Sequence, residues 1–76
     1  MPKLPIISGS NLIKILKKVG YSVDHQTGSH IILRHKEPPH RRLTVPNHDE
    51  IAKGTLLAII HQSGLSKDEF LKLKDE

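Results

Sequence analysis

Apolar residues recur along this chain first at helical spacing, then at strand spacing, then at helical spacing again. After an extended start set by Pro2 and Pro5, Ser8 stands where a helix N-cap belongs. From Asn11 to Val19 the residues Leu12, Ile13, Leu16 and Val19 form one stripe. Lys14, Lys17 and Lys18 fall off it, and Gly20 supplies a C-terminal stop, which predicts a short amphipathic helix with a basic outer side.

At Tyr21 the period changes to two. Alternation places Tyr21, Val23 and His25 on one side of a strand and Ser22, Asp24 and Gln26 on the other, before Thr27-Gly28-Ser29 turns the chain. A second strand runs from His30 to His35. The loop Lys36 to Arg41 contains Pro38-Pro39, unsuited to a central strand, and Arg42 to Val45 resumes the alternation up to Pro46-Asn47. Lys53-Gly54-Thr55 then precedes a second helical run, Leu56, Leu57, Ile59 and Ile60, closed by Gly64. Ser66-Lys67-Asp68-Glu69 has capping-box spacing, and Phe70, Leu71 and Leu73 give a short third helix an apolar side.

The expected fold is α+β: one domain over residues 1–76, with a three-stranded antiparallel sheet and helices on one face. Ile31, Leu33, Leu43 and Val45 are expected to face the helices. His30, Ile32, Arg34, Arg42 and Thr44 then project from the open face. The acids of Pro46-Asn47-His48-Asp49-Glu50 are read as turn and cap chemistry near the start of the second helix.

Composition narrows the function. A chain of 76 residues buries only about 60 to 65% of the surface its unfolded form exposes. With 36% hydrophobic residues, one Tyr and one Phe, its core must be built from Leu, Ile and Val. A deep small-molecule pocket or bound cofactor is not expected. The absence of cysteine removes disulfides, thiolate metal sites and a Cys nucleophile, and fits a reducing cytoplasm. No apolar run suggests secretion or a membrane span. Net charge is +4 and uneven: residues 1–53 carry nine Lys/Arg against four Asp/Glu, an arrangement able to attract phosphate backbones.

Six histidines are the main candidate chemistry, and His25, His30, His35 and His40 recur every five residues. An odd interval alternates faces along a strand, so these side chains do not converge by spacing, and no metal site is expected. His30 stands apart. It follows a Gly-Ser turn at a strand start and shares its expected face with Arg34 and Arg42. An imidazole titrates near neutral pH, so it can take the proton of a ribose 2′-hydroxyl or protonate a leaving 5′-oxygen without metal. The arginines can hold the phosphate. A strand-end histidine also has a purely structural use, donating to a nearby carbonyl, and the spacing leaves both uses open. His25, His40, His48 and His61 read as surface or turn residues, and His35 as either a core or a rim residue.

Separated pieces of the chain resemble one family. Lys3-Leu4-Pro5 with Ser8-Gly9, Gly28-Ser29-His30, Arg42-Leu43-Thr44-Val45-Pro46, Lys53-Gly54-Thr55-Leu56 and Gln62-Ser63-Gly64-Leu65-Ser66 are similar, in order and spacing, to HicA toxins. The resemblance implies a fold like the double-stranded-RNA-binding domain, messenger RNA cleavage, His30 as the residue needed for activity, and Gly28 as the neighbour that lets RNA reach it. It also implies a HicB-like antitoxin, acidic where it meets Lys14, Arg34 and Arg42, so that the chain is a monomer alone or part of a toxin-antitoxin hetero-oligomer. Ser29 and Lys53 complete the expected RNA-binding set. Double-stranded-RNA-binding domains carry a lysine cluster at the start of the last helix where this chain has only Lys53, which favours single-stranded messenger RNA. The alternatives are a non-catalytic RNA-binding module using the same basic face, and a protein-interaction module that docks an acidic partner.

Overall fold

A computed structural model describes residues 4–75, with the elements α1 (Gly9–Lys17), β1 (Tyr21–Thr27), β2 (His30–His35), β3 (Arg42–Pro46), α2 (Lys53–Ser63) and α3 (Lys67–Lys74). The strands form one antiparallel sheet in the order β1-β2-β3, and the helices pack on one side of it. This is the α+β arrangement expected from the periodicity.

Local chemistry explains the starts of α1 and α3. The Ser8 hydroxyl accepts a hydrogen bond from the Asn11 N–H at 3.2 Å. Ser8 is the N-cap, as expected, so Gly9 is the first helical residue, and α1 closes at Lys17, before the end of the apolar stripe at Val19. Ser66 caps α3 in a full capping box: its hydroxyl accepts from the Glu69 N–H at 3.1 Å and its N–H donates to Glu69 Oε1 at 3.0 Å.

The start of α2 corrects the expectation for the acidic run. The helix opens at Lys53 behind Ala52, which makes no side-chain cap, and no acid lies in its first turn. Asp49 and Glu50 are exposed in the preceding bend. The segment is held by apolar burial instead: Ile51 is buried, and its N–H donates to the Ile7 carbonyl at 2.9 Å.

One core lies between the sheet and the helices. Leu12 and Leu16 of α1, Leu33 of β2, Leu43 and Val45 of β3, Leu56 and Ile60 of α2, and Phe70 of α3 are its most completely buried side chains. Each large apolar side chain withdrawn in this way contributes about 1.5–3 kcal/mol. Gly9 lets α1 pass close over the end of β3, where a Cβ would collide with the Pro46 carbonyl oxygen. Its N–H donates to the His48 carbonyl at 2.9 Å. Among the described residues no helix is long and apolar enough to cross a membrane.

Candidate functional site

Packing the helices on one side leaves the other side of the sheet bare. The register pairs His30 with Pro46, Ile32 with Thr44 and Arg34 with Arg42. Leu33, Leu43 and Val45 point into the core, so His30, Ile32 and Arg34 stand in one column of the open face, as alternation predicts. His30, Arg34 and Arg42 are exposed. Arg34 and Arg42 are direct cross-strand neighbours, and like charges so placed repel. Among the described residues neither makes an ion pair. An anion resting on the pair relieves that repulsion.

His30 is positioned by the tight turn before it. Thr27 pairs with His30, leaving only Gly28 and Ser29 between the strands, and Gly28 has φ 57°. The Ser29 carbonyl accepts from the Asn47 N–H at 2.6 Å, tying the turn to the end of β3. Space around Gly28 is open: a Cβ built there would meet nothing within 4 Å.

Strand β1 departs from the strict alternation expected of it. Val23 pairs with Leu33, but His25, two residues on, pairs with Ile32, so the strand contains a β-bulge at Asp24. Strict alternation would put His25 on the side of Tyr21 and Val23. The extra residue reverses this and carries His25 onto the open face beside Ile32. Asp24 turns with it and meets His25, with Oδ2 at 2.9 Å from Nδ1. The bond from His25 holds the Asp24 carboxyl below the usual carboxylate range, aided by the charges of His25, Arg42 and Arg34. Among the described strand residues, the open face therefore brings together His25, His30, Asp24, Arg34 and Arg42, with Lys36 and His40 at its edge beside Asp24 and Arg34.

Other candidates lie elsewhere. Lys14 sits on α1, in a depression shared with Ile6, Asn11, Lys18 and Lys74 in the helical layer. Lys53 is exposed at the first residue of α2. Neither stands on the sheet face with His30, Arg34 and Arg42. His35 is structural: Nε2 lies 2.9 Å from the Val19 carbonyl oxygen, Nδ1 accepts from the Glu37 N–H at 3.1 Å, and the ring packs edge-on against Tyr21 at 4.8 Å. That bonding places the proton on Nε2. His40 Nδ1 lies 3.1 Å from the His35 carbonyl oxygen, and the residue lines a depression with Ser22, Asp24, Arg34 and Lys36 at the edge of the sheet face, while His48 and His61 are exposed. No three His, Asp or Glu side chains converge among the described residues.

A face of this kind can hold a phosphodiester on its arginines and offer imidazole to the ribose beside it. A family model described as the HicA toxin of bacterial toxin-antitoxin systems matches residues 9–65. No curated protein matches the chain.

Proposed function

Since the chain belongs to the HicA family of toxins, and thus has an antitoxin as partner, we propose that it is a metal-independent endoribonuclease that cleaves single-stranded messenger RNA with His30 as a general acid or base. The observation that carries this reading is the placement of exposed His30 in one column with Arg34, itself paired with Arg42, on the uncovered face of the sheet.

The arginines hold the scissile phosphate and offset the charge that accumulates on its oxygens in the transition state. His30 moves one of the two protons of the reaction: it takes the 2′-hydroxyl proton as the 2′-oxygen attacks, or gives one to the departing 5′-oxygen. The products are a 2′,3′-cyclic phosphate and a 5′-hydroxyl, and a strand without the 2′-hydroxyl is not a substrate. The Gly28-Ser29 turn leaves room for the strand to approach. A HicB-like antitoxin silences the toxin by covering this face, with acidic side chains against Arg34 and Arg42. Lys14, in the helical layer, lies outside that footprint unless the antitoxin wraps around the sheet.

The test incubates the purified protein with single-stranded RNA in EDTA, beside a His30→Ala variant and a DNA strand of the same sequence. The expected result is cleavage of RNA alone, reduced by about 10²–10⁴-fold in the variant. Binding without cleavage turns the reading to a non-catalytic RNA-binding module. Cleavage abolished by EDTA contradicts the metal-free chemistry.

A further inference from the structure

Moving two protons takes two groups, and His30 is one. The geometry points to His25, held by Asp24, as the second proton-transfer group of the cleavage site, an inference that rests on the ribonuclease reading above.

Three observations place His25 there. The β-bulge sets it on the open face opposite Ile32, while Thr27, two residues on, lies opposite His30. His25 and His30 are therefore diagonal neighbours across β1 and β2, about 7–8 Å apart by strand geometry, a gap that the two imidazoles can close from opposite sides of one phosphate. On its other side, His25 is diagonal to Arg34, which pairs with Arg42, so the phosphate-holding charges lie beside it. The third observation is Asp24. A surface that only bound phosphate would gain nothing from a carboxylate, yet Asp24 is the one carboxylate on this face among the described residues. It contacts His25 and neither arginine within ion-pair distance. With a carboxylate accepting at Nδ1, the Nδ1 proton is fixed and Nε2 is left for substrate. The His25 side chain is 53% exposed and free to reach it.

The protons and bonds balance between the two rings. The 2′-oxygen bonds to phosphorus as the bond from phosphorus to the 5′-oxygen breaks. One imidazole takes the 2′-hydroxyl proton, and the other, entering as imidazolium, delivers a proton to the 5′-oxygen. Both histidines are open to solvent and return to their starting states by exchange. Asp24 is a positioning residue that acts through His25.

The experiment compares wild type, His25→Ala, His30→Ala, the double variant and Asp24→Asn by single-turnover cleavage across pH, with binding of an uncleavable 2′-O-methyl strand measured alongside. Wild type is expected to give a bell-shaped profile. His25→Ala is expected to remove one limb and His30→Ala the other, each lowering the rate by roughly 10²-fold or more. Affinity for the 2′-O-methyl strand stays unchanged, and the double variant falls little below the singles. RNA with sulfur in place of the bridging 5′-oxygen needs no proton on its leaving group, so it restores cleavage to whichever single variant lacks the acid. Asp24→Asn gives a smaller fall at unchanged affinity, and none in the His25→Ala background. Cleavage lost in His30→Ala but unaltered in His25→Ala overturns this inference and leaves the ribonuclease reading standing, as does a His25→Ala defect confined to binding. Sulfur rescue in neither variant also overturns it. An inactive wild type removes both.

Discussion

At the residue scale, Gly28 shows how one position can serve the backbone and the site together. The family resemblance assigns it the task of letting RNA reach His30, and the open space around it is compatible with that task. Its φ of 57° adds a demand that is independent of RNA, because an L side chain meets the following carbonyl in the left-handed region at a cost of roughly 1–2 kcal/mol. Gly28→Ala is therefore expected to lower the melting temperature by roughly 4–16 °C, since about 1 kcal/mol corresponds to 4–8 °C in a domain of this size. Cleavage per folded molecule should remain within a few-fold of wild type below the transition. An unchanged melting temperature would sink the backbone account, and a large fall in activity at full stability would return Gly28 to a role in substrate access alone.

At the element scale, what was legible depended on whether the information was local. The capping box of α3 could be read directly, because Ser66 and Glu69 lie within one turn and satisfy each other's backbone donors. The helices α1 and α2 and the inward faces of β2 and β3 were equally clear, since Leu33, Leu43 and Val45 have somewhere to go. The bulge in β1 was not. After Val23 the strand reads Asp24-His25-Gln26-Thr27, without an apolar side chain, so alternation has nothing to bury and cannot set the register. Only pairing with β2 decides which face His25 occupies, and half of the candidate site was hidden for that reason. The acids at 49 and 50 misled in the converse way: they resemble cap chemistry, but burial of Ile51 fixes where α2 begins. For α3 the local chemistry makes a sharp prediction. Bonds from the Ser66 backbone and hydroxyl hold the Glu69 carboxyl below its usual value of 4.5. A carboxyl depressed by folding stabilises the native state above its unfolded pKa and loses that contribution as pH falls through the folded one. Protection of the amides in the first turn of α3, taken relative to their intrinsic exchange rate at each pH, should therefore fall on acidification through and below pH 4.5. Ser66→Ala, with a cap loss of about 1 kcal/mol, should lower that protection already at neutral pH and flatten its acid dependence. Identical acid profiles in the variant and wild type would refute the capping account.

At the scale of the whole molecule, the sheet divides the basic charge into two populations. Arg34 and Arg42 stand on the bare face with His30, whereas Lys14, Lys18 and Lys74 line a depression in the helical layer. A net charge of +4 treats them alike, and only the packing of three helices on one side separates them. Salt dependence can tell which population meets RNA. Each phosphate neutralised releases counterions, so the logarithm of the association constant falls with the logarithm of salt concentration by about 0.7 per contact on a single strand. For an uncleavable 2′-O-methyl strand, Arg34→Gln and Arg42→Gln should each weaken binding and each reduce the slope by about that amount. Lys14→Gln should leave both affinity and slope close to wild type, because the sheet stands between Lys14 and the proposed strand. If Lys14→Gln reduces the slope as much as the arginine variants do, RNA runs over the helices as well and the open-face assignment is wrong. If neither arginine changes the slope, the cross-strand pair does not hold phosphate, and its repulsion is relieved by an acidic protein surface instead.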